Sequence, residues 1–190
     1  MNYKTYYPDE KTLSKMTSMA SFDAIVVHHT ASNPHATVED IRRWHVVERE
    51  SEGFLWVGYH FVIYQSGEII QTRPINKRGG HCDTGGYNER SIGVCLVGNF
   101  ENMNPPTDQW KSFVELSLKL AQISPGIVLL PHGKIDKTIC PGVHIVQAMR
   151  GINLNNSEVQ NEPVRKELSA YSLEELTNEL HKRIQLKHYD

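Results

Sequence analysis

The chain has 190 residues, an apolar fraction of 39% and a formal net charge of −2. Length and apolar content suit one packed core. The charge and the lack of any Lys/Arg block exclude a general phosphate-binding surface, so no nucleic-acid partner is expected.

Residues 1–22 read as a polar N-terminal leader. They mix Lys, Tyr, Asp and Ser without an apolar run, which argues against a signal peptide or membrane anchor there. Ala24-Ile25-Val26-Val27 is a β-branched apolar run, the pattern of a buried strand ending at His28. Thr37 and Asp40 form a capping box opening a helix in which Val38, Ile41, Trp44 and His45 share a face. Tyr59 to Tyr64 reads as a strand, Gln65 to Glu68 as a turn, and Ile69 to Thr72 as the returning strand. Ser91 to Val97 is another buried-strand pattern.

Pro105 and Pro106 break the chain before Thr107, the expected N-cap of a helix with Trp110, Phe113, Leu116 and Leu120 on one face. Ile127 to Leu130 predicts a further buried strand that stops at Pro131. Residues 151–170 read as a linker, and Ser172-Leu173-Glu174-Glu175 opens a last helix. The domain then spans 23–150, with 151–190 as linker and C-terminal helix. Strands interleaved with helices predict an α/β protein with a central mixed sheet flanked by helices.

Three cysteines, Cys82, Cys95 and Cys140, are too few and too irregularly spaced for a disulfide framework. A reducing compartment follows, and an odd thiol there serves packing or metal. A catalytic zinc site takes three protein ligands and keeps a fourth position for water, whose pKa it lowers to about 7. His28 at a strand end, with His132 and Cys140 on one later loop, supplies such a set. His29 points to the opposite face if the strand continues, so at most one of the two histidines is a ligand. Pro131, Gly133, Pro141 and Gly142 let the second segment curl back on itself. Taken singly, His28 reads equally as a hydrogen-bonded core histidine, and Cys140 as a small buried hydrophobe.

Ile25-Val26-Val27-His28-His29-Thr30-Ala31, Val57-Gly58-Tyr59-His60-Phe61, Ser91 to Gly98, and His132 to Gly142 occur in that order. Together they resemble the zinc-dependent N-acetylmuramoyl-L-alanine amidase family, which includes the phage T7 lysozyme-like enzymes and the peptidoglycan recognition proteins. The likeness runs from about Asp23 to Val146 and implies that fold. It further implies His28, His132 and Cys140 as zinc ligands and Tyr59 as a catalytic tyrosine. Thr138 falls where phage members carry a transition-state lysine; recognition-protein amidases resemble this chain in having Thr. Cys95 stands where intracellular recycling members carry glutamate, so it reads as core packing. His81, on the glycine-rich loop Gly79 to Asp83, is a candidate substrate-binding residue at the groove edge; Cys82 is a weaker candidate for a fourth ligand.

The resemblance implies hydrolysis of the amide between N-acetylmuramic acid and L-alanine in peptidoglycan glycan–peptide strands, by a monomer acting as a phage-type endolysin. Such a protein is cytoplasmic when made and acts on the wall after release, with no membrane partner. A muropeptide-recycling amidase and a non-catalytic peptidoglycan-binding module are the alternatives.

Overall fold

The computed structural model describes residues 3–154, which fall within one compact unit. The helix expected from Ser172, and the expected linker from residue 155 onward, lie outside the described residues. The elements run β1 (Lys4–Thr5), α1 (Glu10–Lys15), β2 (Ala24–His29), α2 (Val38–Arg42), β3 (Phe61–Ile63), β4 (Ile69–Gln71), α3 (Tyr87–Arg90), β5 (Ser91–Leu96), α4 (Thr107–Ile123), β6 (Val128–Pro131) and α5 (Val143–Met149). The six strands form one mixed sheet in the order β1-β4-β3-β5-β2-β6. All neighbouring pairs are parallel except β3 with β4, which form a hairpin. Gly67 closes that hairpin at φ 84°, a conformation glycine adopts without strain. Among the described residues no helix is long and apolar enough to cross a membrane.

Because side chains alternate along a strand, the sheet carries two different faces. Ile25 and Val27 of β2, Phe61 and Ile63 of β3, and Ile92, Val94 and Leu96 of β5 pack with Phe113, Leu116 and Leu120 of α4. Val62, Cys95 and Val97 turn the other way, onto Ile41 and Val57, with Trp44, Trp56 and Tyr59 against them. His28 is opposite Cys95 in the β2–β5 register, and Cys95 opposite Val62 in the β5–β3 register. Those three positions line up beneath one end of the second face, and that alignment places the site.

The Thr37–Asp40 capping box forms in both directions, and α2 runs on as a π-helical turn over Arg43–Val47. Two expectations shift. Thr107 is the first helical residue, because the Pro106 carbonyl already accepts from the Trp110 N–H. The β6 strand is an edge strand, not a buried one: among the described residues it pairs with β2 alone, and Val128 is 47% exposed. Its apolar run matches that of a central strand, and only sheet order separates them.

Residues 4–22 join the same sheet and core. β1 adds an edge beside β4, and Met16, Met19 and Phe22 are buried. At the other end, Leu154 is buried in the core and Ile152 packs against it.

Candidate metal centre and groove

His28 lies near the carboxyl end of β2, 2% exposed, on the face away from α4. His29 turns to the other face, where its Nδ1 accepts from the Phe100 N–H at 3.2 Å. Its backbone N–H donates to Cys140 Sγ at 3.4 Å.

The second half of the site is a loop built from short-range hydrogen bonds. After β6 the chain makes one 3-10 turn over His132–Lys134. It is then closed by Gly133 N–H to Cys140 O at 2.6 Å and Cys140 N–H to Thr138 Oγ1 at 3.2 Å. A Cβ at residue 133 would stand 2.3 Å from Thr138 O, so glycine is required there. Gly142, at φ 94° and with the Phe100 backbone 2.3 Å from where a Cβ would be, anchors the exit.

The loop brings His132 and Cys140 to His28. One ligand atom from each of the three lies within 4.8 Å of the others. His28 Nδ1 is 3.9 Å from Cys140 Sγ, and the two imidazole centroids are 4.4 Å apart. The remote nitrogens are occupied elsewhere: His28 Nε2 meets His81 Nδ1 at 3.0 Å, and His132 Nε2 meets Asp136 Oδ2 at 3.1 Å. The Nδ1 atoms are therefore left to face the shared point.

Burial pushes His28 well below its ordinary value, and the neighbouring His81 and His132 add to the shift. A neutral imidazole, the ligating form, results. Burial raises the Cys140 thiol to about 11, opposed by the His29 N–H. A thiol so placed ionises only against a cation, which the donor set can accept.

Tyr59 sits between His28 and His45, with ring centroids 5.1 and 5.4 Å away. Burial, reinforced by Cys95 and Cys140, raises its phenol well above 10, so it keeps its proton. Thr138 is exposed on the loop; its oxygen accepts from Cys140, leaving the hydroxyl proton free to donate. His81 lines the groove but is committed by Nδ1 to His28, and its ring is buried beside the Ser91 backbone. Cys95 is fully buried in the sheet. Cys82 does not join the first three donors; with His132 and Asp136 it forms a second set within 4.8 Å.

His28, Tyr59, His81, His132, Thr138 and Cys140 line a groove of about 780 Å³, with Lys15, Arg49, Phe54, Arg78 and Glu101 also around it. Two contributors escaped the sequence reading. His45 is buried beside Tyr59 and accepts the Gly58 N–H; Asp136 holds His132. The four-residue spacing from His132 to Asp136 was the available signal, hidden because the segment reads as loop.

Residues 18–143 match the N-acetylmuramoyl-L-alanine amidase family. The chain is 37% identical over 128 residues to the endolysin of Escherichia phage T7, covering 64% of this chain and 81% of that one. It is 29% identical over 136 residues to a peptidoglycan-recognition protein of Drosophila melanogaster, covering 66% and 71%. Among solved structures, the N-acetylmuramoyl-L-alanine amidase LysC from Clostridium intestinale superposes with a TM-score of 0.67 at 27% identity, over 80% of this chain and 100% of that one.

Proposed function

The chain belongs to the N-acetylmuramoyl-L-alanine amidase family and hydrolyses peptidoglycan amides; from that premise we propose that zinc is its cofactor, held by His28, His132 and Cys140. The observation that carries the proposal is the convergence of two imidazoles and one thiol within 4.8 Å at the floor of an open groove. Two nitrogens and a sulfur, with the remote imidazole nitrogens engaged, fit a zinc site that keeps a position open for chemistry. When bound, zinc supplies Lewis acidity at the scissile carbonyl and lowers the pKa of water to about 7.

The chain's own residues do the rest. The groove holds a long polar strand so that the lactyl–alanine amide lies over the His28–His132–Cys140 cluster. Tyr59, kept protonated by burial, donates a hydrogen bond to the carbonyl oxygen as negative charge grows on it. Thr138 donates its hydroxyl from the loop side. His81 acts on the orientation of His28 rather than on substrate, since its Nδ1 is already engaged.

We propose that the protein acts as a monomer, each chain carrying this set of groups. The likeness to phage endolysins supports the reading of an endolysin made in the cytoplasm and acting on the wall after release. Digestion of a defined muropeptide tests the activity: a new L-alanine amino terminus is expected, and a new reducing sugar end would overturn the reading. Elemental analysis tests the cofactor, with one zinc per chain expected. Chelation should stop turnover, and zinc restore it.

A further inference from the structure

We propose that Asp136 is a positioning residue: its carboxylate holds the Nε2–H of His132 and ties the loop bearing His132 and Cys140 to the 82–84 segment. The inference rests on the zinc reading above and goes beyond it by assigning what keeps His132 in place.

Backbone hydrogen bonds within the loop set its path, but not the rotation of the His132 ring. A ring turned half over would exchange Nδ1 for Nε2 at the shared point. A carboxylate on Nε2 prevents that exchange, because it selects the tautomer with its proton there and frees the Nδ1 lone pair. Asp136 sits on that nitrogen at 3.1 Å, one helical turn further along the chain.

Asp136 is itself held from outside the loop. Its Oδ1 accepts from Thr84 Oγ1, and the Cys82 thiol lies 3.9 Å from its Oδ2. Both partners are more than fifty residues away in sequence. The carboxylate therefore passes the position of one loop to the ring on another. It also supplies charge: a dication on two neutral imidazoles and a thiolate has net charge +1, which one adjacent carboxylate cancels.

The Cys82, His132 and Asp136 donors are close enough to hold a cation themselves. A second cation there would require His132 to give up both ring protons to serve two ions. One proton shared between Nε2 and Asp136 satisfies the same atoms while leaving His132 a neutral ligand, and that reading is the one adopted.

The experiment compares the zinc-loaded wild type with Asp136→Ala, Asp136→Asn and His132→Ala. Zinc affinity is measured by competition with a chromophoric chelator, the ligand field by the absorption of the cobalt-substituted protein, and folding by thermal unfolding of the metal-free form. Asp136→Ala should weaken zinc binding by about 10–100-fold and alter the cobalt spectrum, the usual effect of losing such a partner. Its metal-free unfolding should stay near that of wild type. Asp136→Asn, which keeps an acceptor and loses the charge, should fall between. A zinc affinity for Asp136→Ala within about 3-fold of wild type, with His132→Ala having lost the ion, overturns this inference alone. Two ions per wild-type chain, reduced to one by Cys82→Ser, also overturn it. Retention of zinc by His132→Ala overturns the zinc-site assignment on which it rests.

Discussion

The two halves of the site are held in different ways. His28 rides on β2, paired with strands on both sides, so its place follows from the register of the whole sheet. His132 and Cys140 ride on a loop whose shape rests on a few hydrogen bonds and two obligatory glycines. The strand half shares its stability with the fold; the loop half rests on its local hydrogen bonds and a few longer ties, from His29 N–H to Cys140 Sγ, from Phe100 packed on Gly142, and through Asp136. Damage to the core packing beneath the first should appear as lost global stability, and damage to the second as loss of metal from a protein that stays folded.

The severest test removes a donor from each half. His28→Ala and Cys140→Ser should both abolish measurable turnover on purified peptidoglycan and zinc binding, while circular dichroism shows a folded protein. Near-normal turnover in either would end the ligand assignment. Next comes the contrast in support. Phe113→Ala empties a fully buried position under the sheet and should cost about 3–5 kcal/mol in urea unfolding. Gly133→Ala instead puts a methyl group 2.3 Å from Thr138 O. It should lower zinc affinity sharply and leave the metal-free unfolding midpoint nearly unchanged. Equal losses of global stability in the two variants would show that the loop folds as part of the core.

A third test uses acid on the buried histidines, all pushed down by burial, of which His60 is the clearest. His60, fully buried just before β3, accepts the Gly93 N–H at Nδ1 and donates from Nε2 to Lys77 O, so its neutral form is satisfied at both nitrogens. Burial pushes its pKa from 6.5 to about 4. The unfolded chain then binds the extra proton first as pH falls. Stability is full above about pH 6.5 and declines as pH falls toward 4, by about 3 kcal/mol for this group. Urea unfolding of metal-free protein at pH 7 and pH 5 measures the decline; a flat profile would mean that His60 is not held neutral. His45, also brought to about 4 by burial, adds in the same direction.

The same contrast explains what was legible in the sequence. Apolar runs announced β2 and β5, and alternation along β2 separated His28 from His29, because strand geometry is a local rule. The ligand loop announced its donors and glycines, but not their supports. Asp136 is anchored on His132 by Thr84 and Cys82, and no pattern within the loop reveals those two partners. Residues 4–22 hid for another reason. Met16, Met19 and Phe22 stand three residues apart among small and polar residues, too few apolar positions to announce an element, yet each is buried. Edge and centre also look alike in one dimension, so β6 resembled an interior strand until the sheet order was known.

The smallest expected effects separate the two hydrogen-bond donors, one from each half. Tyr59→Phe removes a buried phenol beside His28 and should lower kcat about 100-fold, the scale of losing one preorganised donor to a developing oxyanion. Zinc affinity should not change, because the ring and its contacts remain. Thr138→Val removes an exposed hydroxyl, already half satisfied by Cys140 N–H and surrounded by water. Its loss should cost only about 5–10-fold, the worth of a solvated neutral hydrogen bond. Both belong in kcat rather than KM, since each donor meets charge that exists only as the reaction proceeds. If Thr138→Val proved as damaging as Tyr59→Phe, the loop hydroxyl would have to be shielded from water by bound substrate. The groove would then close over its strand instead of merely holding it.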